Sequence, residues 1–134
     1  MRNAILCGFF TLLAGCAGSA LQLSGMDAEE LRTVSTDDLI SAIGTKSFRT
    51  EAMLTEAMRR KLFTYDELSL VRKRQITVGI SETALLASWG PPAQVNRSVS
   101  AYGVNKQYVY GAYTEYGSPK FVYVDDGKVT SWQD

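Results

Sequence analysis

The hydrophobic pattern of this chain changes once, near Gln94, from helical spacing to strand alternation. Before that point, apolar side chains recur at four-residue spacing and several segments begin with helix-capping residues, which favours helices. After it, short alternating runs are separated by turn signals, which favours antiparallel strands. This order predicts an α+β fold, with amino-terminal helices packed on one face of a three- to four-stranded antiparallel meander sheet.

Capping patterns place helices within residues 35–75. Ser35 lies three positions before Asp38, which is a weaker version of the capping box, and Thr64–Glu67 is a complete one. Between them, apolar residues at four-residue spacing predict a helix over residues 50–62. We therefore expect three helices in this part of the chain.

A fourth helix gives the most specific local signal of the sequence. Ser81 is a favourable amino-terminal cap, and Gly90 can take the left-handed conformation that ends helices. Pro91 and Pro92 then prevent continuation. A helix of about two turns is too short to be stable alone in water, so it has to pack against the rest of the domain.

Strands are expected in the remainder of the chain. The predicted strands are Val95–Ser100, Lys106–Tyr110, Lys120–Val124 and Lys128–Trp132. Asp125-Asp126-Gly127, between the last two, is typical of a hairpin turn. We therefore predict one α+β domain over residues 35–134, with a helical part at 35–75 and a helix followed by the sheet at 76–134.

The composition does not favour an enzyme. The chain has no histidine, and its 14 basic residues balance its 14 acidic ones, so neither a histidine-based site nor an affinity for nucleic acid is indicated. The doublets Asp37-Asp38 and Asp125-Asp126 lie where a helix start and a turn are expected, and there is no glycine-rich phosphate loop. We predict no catalytic residue, no metal site and no cofactor.

Residues 1–16 resemble a bacterial lipoprotein signal. Arg2 is followed by an apolar run that is too short to span a bilayer but has the length of the apolar region of an export signal. The run ends in Leu13-Ala14-Gly15-Cys16, which resembles the lipobox of bacterial lipoproteins. This resemblance implies that the signal peptide, residues 1–15, is removed and that Cys16 carries the acyl groups, palmitate among them.

A lipidated Cys16 would hold the domain at a membrane, because each buried acyl methylene contributes about 0.8 kcal/mol. We interpret residues 16–34 as the lipidated cysteine followed by a flexible tether, with only a weak helical turn over residues 27–32. The residue after the cysteine is Ala17 and not aspartate. In lipoproteins of two-membrane envelopes this implies the outer membrane, with the domain facing the periplasm.

Aromatic residues are concentrated in the strands, since six of the seven tyrosines lie between Tyr102 and Tyr123. Side chains alternate along a strand, so Tyr108 and Tyr110 share one face of their strand, and Phe121 and Tyr123 share one face of theirs. Two interpretations stay open for these four residues. They pack across strands and only stabilise the sheet, or they form a partly open surface that docks a protein partner.

Two basic triplets, Arg59-Arg60-Lys61 and Arg72-Lys73-Arg74, lie near the ends of the second and third predicted helices. Cations at these positions complement the negative end of a helix dipole, which contributes about 0.3–1 kcal/mol. The alternative is a contact with anionic lipid headgroups or with an acidic partner.

The second half of the chain also resembles a known family. Residues 76–92 have the pattern I-x-x-G-I-S followed by G-x-P, and the strands contain Gln107-Tyr108-Val109-Tyr110-Gly111 and Val124-Asp125-Asp126-Gly127-Lys128-Val129. This is similar to the SmpA/OmlA (BamE-like) family of small outer-membrane lipoproteins, or to related uncharacterised envelope lipoproteins with the same helix-plus-sheet pattern. The resemblance implies short helices against a three-stranded antiparallel sheet, and a scaffold role without catalytic residues. The helices of residues 36–75 are additional to that family unit.

These patterns predict a lipid-anchored, non-catalytic adaptor or scaffold subunit of the cell envelope, which acts in outer-membrane protein assembly or in envelope integrity. Its expected partners are the membrane, through Cys16, and an envelope protein. The alternative function is an inhibitor- or ligand-binding module that recognises a soluble envelope enzyme or a cell-wall fragment.

Overall fold

The structure, a computed structural model, describes residues 19–112, 114–115 and 117–134. Within these residues, six helices precede four strands. The helices are α1 (Ala20–Ser24), α2 (Ala28–Leu31), α3 (Thr36–Gly44), α4 (Glu51–Arg59), α5 (Tyr65–Lys73) and α6 (Glu82–Trp89). The strands are β1 (Gln94–Ser100), β2 (Gly103–Tyr110), β3 (Lys120–Asp125) and β4 (Lys128–Gln133).

Each of these helices is preceded by a capping residue, and the side chain of this residue accepts a hydrogen bond from a backbone amide of the first turn. The capping residues are Ser19, Asp27, Ser35, Thr50, Thr64 and Ser81. The caps predicted at Ser35, Thr64 and Ser81 are therefore confirmed, and Thr64 forms the predicted capping box with Glu67. The second oxygen of Glu67 accepts a hydrogen bond from the Ser81 amide at 2.7 Å, so one carboxylate fixes the starts of both α5 and α6.

The four strands form one antiparallel meander in the order β1-β2-β3-β4, with helices packed on one face, and the predicted fold class is confirmed. The strand register pairs Tyr108 with Val122, so both side chains lie on the same face. This face, with Val124 and Val129, is buried in the core beside helical residues such as Leu85. We call it the covered face.

The opposite face of the sheet carries Val109 and Phe121, which are paired across β2 and β3, and the next pair, Gln107 and Tyr123. These side chains are half-buried, but they belong neither to the core nor to the residues packed against it. We call this the open face.

The carboxyl ends of α3 and α6 approach each other closely through their backbones. A Cβ atom at Gly44 would lie 2.5 Å from the Cα of Gly90 and 2.5 Å from the carbonyl oxygen of Leu86. Gly90 also has a φ of +83°, which L side chains rarely adopt. With a ψ of −173°, Gly90 is not in the left-handed helical conformation expected from the sequence, but it is in another region that is essentially restricted to glycine, and the close approach adds a packing reason for both glycines.

The segment from Ser19 to Val34 is not a flexible tether, so this part of the sequence-based prediction is wrong. Leu23 in α1 and Leu31 in α2 are fully buried in the core. Only the helical turn expected over residues 27–32 is confirmed, as α2. Because these helices have five and four residues, they are too short to show a helical period in the sequence.

The two edges of the sheet differ. Along β4, the Gly79 amide donates to the carbonyl of Val129 at 2.7 Å, and the Val129 amide donates to the carbonyl of Ile80 at 2.9 Å. The Glu82 amide continues this pairing by donating to Gly127 at 2.9 Å. Among the described residues β1 has no neighbour on its outer side, and all seven of its residues are exposed.

Candidate binding surface on the open face of the sheet

Tyr108, one of the four residues predicted to dock a partner, lies on the covered face. It is only 4% exposed, and its hydroxyl donates a hydrogen bond to the carboxylate of Glu82 at the start of α6. The same carboxylate oxygen accepts a hydrogen bond from Nζ of Lys106 at 2.7 Å. Burial, followed by the hydrogen bond to Glu82, raises the pKa of Tyr108. Tyr108 thus fixes α6 to the sheet and is inaccessible to a partner.

Tyr110 lies on the same face and also contacts α6. Its hydroxyl donates to the carbonyl of Gly90 at 3.1 Å, and its ring meets that of Trp89 edge-on, with centroids 5.3 Å apart. Burial raises the pKa of Tyr110. Both tyrosines of β2 therefore belong to the helix–sheet packing.

Phe121 and Tyr123 lie on the open face, so the register separates the four predicted residues into two pairs on opposite faces. Phe121 pairs with Val109 on β2 and with Gln133 on β4. The three half-buried side chains Val109, Phe121 and Tyr123 form an apolar patch at the centre of this face. We therefore confine the candidate surface to Phe121 and Tyr123 with their cross-strand neighbours.

A chain of side-chain amides continues from Tyr123 across the open face. Nε2 of Gln107 donates to the Tyr123 hydroxyl at 3.1 Å, and Nδ2 of Asn96 donates to Oε1 of Gln107 at 2.9 Å. Nε2 of Gln94 in turn donates to Oδ1 of Asn96 at 2.6 Å. Analysis of the sequence missed these amides. Their spacing on alternate positions of β1 is visible in the sequence, but their alignment with Tyr123 depends on the register of three strands.

The two cross-strand rows at the centre of the open face hold no charged side chain. The rows are Gln94, Val109, Phe121 and Gln133, and then Asn96, Gln107, Tyr123 and Ser131. Aromatic rings supply large contact areas with few rotatable bonds, and amides and hydroxyls can both donate and accept hydrogen bonds. The arrangement is suited to recognising uncharged polar groups such as peptide bonds.

The basic triplets act mainly inside the domain. Arg60 pairs with Glu56 at 2.6 Å and donates to the carbonyl of Leu31 at 2.8 Å, at the carboxyl end of α2. Arg74 donates to Gly44 and Ser88, at the ends of α3 and α6, at 3.2 and 3.3 Å. These contacts support the interpretation of the triplets as helix-end cations, with the correction that Arg60 and Arg74 cap helices other than their own.

Arg49 performs the same role and was not predicted. Its guanidinium donates to the carbonyls of Val71 at 2.5 Å and Arg72 at 3.1 Å, at the end of α5. Burial, together with the positive charge of Arg74, lowers the pKa of Arg49. Because Arg49 lies between two helices in the sequence, no local pattern identifies its partner 22 positions away.

Cys16 and the rest of the predicted signal lie outside the described residues, so lipidation stays a prediction. None of the described helices is long and apolar enough to cross a bilayer. The residues in the described ranges also contain no group of three or more His, Cys, Asp or Glu side chains that could hold a metal ion.

A scan against protein-family models, a search of curated proteins and a search of solved structures each gave no match to this chain. The resemblance to the SmpA/OmlA (BamE-like) lipoproteins therefore also stays a prediction.

Proposed function

We propose that this chain is a lipid-anchored lipoprotein of the bacterial outer membrane that acts as a non-catalytic adaptor, and that a protein partner binds the open face of its sheet. The observation that carries the proposal is the uncharged patch of Phe121 and Tyr123, which lies outside the core and continues into side-chain amides. Tyrosine is enriched in protein interfaces, where its ring is buried and its hydroxyl stays hydrogen-bonded.

The lipobox at residues 13–16 supplies the other half of the proposal. An anchor restricts the domain to the membrane surface, which raises its effective concentration for partners held at the same surface. An adaptor of this kind needs no catalytic group, because it acts by holding its partners together. Outer-membrane protein assembly and envelope integrity are the processes that the family resemblance suggests for it.

The anchor can be tested by labelling bacterial cells that express the full chain with radioactive palmitate. The wild type should incorporate the label and enter the detergent phase, whereas Cys16→Ser should do neither. Cys7→Ser is the matched control, since it removes the other cysteine and should leave labelling unchanged. Equal labelling of wild type and Cys16→Ser would contradict the proposed anchor.

The surface can be tested by placing a photo-crosslinking residue at Ser131 or Gln133, which flank Tyr123 and Phe121 on β4. Both positions should give an adduct of the same mass, and Tyr123→Ser should reduce its yield at least fivefold. The control position is Tyr65, which is 83% exposed on α5 and should give no such adduct. Adducts that are insensitive to Tyr123→Ser would overturn the assignment of this face.

The side-chain amides favour a second candidate, a module that binds an uncharged cell-wall fragment. Asn96 and Gln107 could hydrogen-bond sugar hydroxyls while the ring of Tyr123 stacks on a sugar face. Titration of the protein with soluble glycan fragments separates the two candidate functions. The shifts of the backbone amide signals of β2 and β3 report the binding. Saturable shifts on the open face would favour the glycan over the protein partner.

A further inference from the structure

Among the described residues, the outer edge of β1 has no paired strand. The opposite edge is closed by residues 79–82, which pair with β4 as described above. An unpaired edge strand presents a row of free N–H and C=O groups, and natural proteins usually cover or shorten such edges. β1 is seven residues long and each of its residues is exposed, so it can accept a further strand along its whole length.

The side chains of β1 that lie on the covered face alternate between valine and arginine. Val95, Arg97 and Val99 pair with Tyr108, Lys106 and Val104 of β2, and so they share that face. The helices do not bury this part of the sheet, because Val95 is 45% exposed and Val99 is 61% exposed. A strand added beside β1 would place its own side chains directly opposite this apolar–basic–apolar row.

The charge at Arg97 selects what can lie opposite it. Its cross-strand neighbour on β2 is Lys106, whose ammonium already pairs with Glu82 at 2.7 Å. Within the described residues Arg97 has no ion pair, and its neighbour carries the same charge. A carboxylate on an added strand would offset the repulsion between Arg97 and Lys106, whereas a further basic side chain would increase it.

The same charge disfavours pairing between two copies of this chain. An antiparallel β1–β1 pair centred on Arg97 would align Val95 with Val99 of the second copy, but it would also align the two arginines. Like charges directly opposite each other are destabilising. In the register that pairs the valines, the edge is thus unsuited to its own copy and better suited to a different strand.

We propose that β1 binds an extended segment of a partner protein as a fifth strand, with an acidic side chain opposite Arg97 and apolar side chains two positions away on either side. The inference rests on the proposed adaptor function, because it names the kind of protein segment that the adaptor recognises. Its surface is the sheet edge and not the open face, so either assignment can fail without the other.

The test uses three fluorescent nine-residue peptides that differ only in their central residue, which is Glu, Gln or Lys, with valine two positions away on each side. Binding to the full-length protein in detergent is followed by fluorescence anisotropy at low salt. We expect the Glu peptide to bind at least fivefold more tightly than the Lys peptide, with Gln between them. Arg97→Glu should invert this order. Ser98→Glu is the control, since it places a carboxylate on the other face of β1, keeps Arg97 and should keep the wild-type order.

Hydrogen exchange locates the bound peptide. The Glu peptide should slow exchange of backbone amides in β1 and leave those of β3 and β4 unchanged. Peptides that bind without regard to their central charge, that fail to bind, or that protect only the open face would overturn the proposal. It would also be overturned if sedimentation showed that the wild-type chain forms a dimer and the same β1 amides were protected from exchange in that dimer. None of these readouts depends on acylation of Cys16 or on Tyr123, so the proposed function is tested separately.

Discussion

The covered and open faces of the sheet carry aromatic side chains of the same kind on neighbouring strands, yet these side chains have different surroundings. The hydroxyls of Tyr108 and Tyr110 bind groups of α6 and Gly90, so they join two layers of the domain. The hydroxyl of Tyr123 binds Gln107, a side chain on the adjacent strand of the same layer. A tyrosine on a sheet is therefore structural or accessible according to which layer supplies its hydrogen-bond partner.

The largest effect on stability is expected from Gly44→Ala, which tests whether the helical layer depends on close packing between backbones. Gly44→Ala places a methyl group 2.5 Å from backbone atoms of Gly90 and Leu86, which cannot yield without separating α3 from α6. We expect the free energy of unfolding to fall by about 4 kcal/mol, a value at the upper end for point substitutions. Urea denaturation measures it.

Gly25→Ala is the matched control. A Cβ atom at Gly25 meets only the carbonyl of Gln22 at 3.7 Å, and its backbone φ is −92°, so the change should alter stability by less than about 0.5 kcal/mol. Equal losses at Gly25 and Gly44 would contradict the α3–α6 contact.

The next effect concerns the buried carboxylate of the helical layer. Glu56 is 4% exposed and accepts hydrogen bonds from Arg59 at 2.7 Å and Arg60 at 2.6 Å. The hydrogen bond from Arg59, with that from Arg60, lowers the pKa of Glu56 from 4.5 to about 2. Since the folded-state pKa lies below the unfolded one, this stabilisation is fully present above pH 4.5 and is lost as the pH falls towards about 2.

Glu56→Gln should therefore lower the free energy of unfolding at pH 7 by about 2 kcal/mol, since it weakens a buried charged network. The difference from the wild type should shrink steadily when the pH is lowered from 5 to 2, because the native carboxyl then becomes neutral as well. Glu29→Gln serves as the control, since its side chain is 76% exposed and its pair with Arg32 contributes little. A gap that stays constant between pH 5 and 2 would contradict the lowered pKa of Glu56 in the folded protein.

The next substitution is expected to have a smaller effect on stability, and it compares the covered face with the open face directly. Tyr108→Phe removes a buried hydroxyl that donates to Glu82, and it leaves that carboxylate with Lys106. The expected loss of stability is about 1.5 kcal/mol, which is typical of a hydrogen bond to a charged group. Thermal unfolding at neutral pH measures it. A loss below that of Tyr123→Phe would mean that the covered face does not depend on this contact.

Features that lie within a single helix or strand could be predicted from the sequence. The caps at Ser35, Thr64 and Ser81 depend on residues three positions apart, and the sharing of a face by Tyr108 and Tyr110 depends only on strand alternation. The relation of these tyrosines to Phe121 is different. It depends on the register between β2 and β3, which pairs Val109 with Phe121 across the long connection between them.

The buried leucines of α1 and α2 were missed for a related reason. Leu23 and Leu31 each stand alone as the buried residue of a very short helix, so the pattern lacks a second apolar position one turn away. Their burial comes from contacts with α3 and α4, which only the folded chain brings near. Arg49 and Arg74 likewise find their carbonyl partners between 14 and 30 positions away in the sequence.

The smallest expected effect on stability is at Tyr123, and it separates folding from binding on the open face. Tyr123→Phe keeps the ring and removes only the hydroxyl that accepts from Gln107, so the free energy of unfolding should fall by no more than about 0.5 kcal/mol. Since the patch lies outside the core, the same change should reduce the crosslinked adduct at Ser131 several-fold, because the Gln107 amide is then held by Asn96 alone. Asn96 lies one hydrogen bond further from Tyr123 than Gln107 does. Asn96→Ala should therefore reduce the adduct less than Tyr123→Phe does. A Tyr123→Phe protein that is strongly destabilised but forms the adduct normally would place Tyr123 with Tyr108 as a structural residue, and the distinction between the two faces would no longer hold.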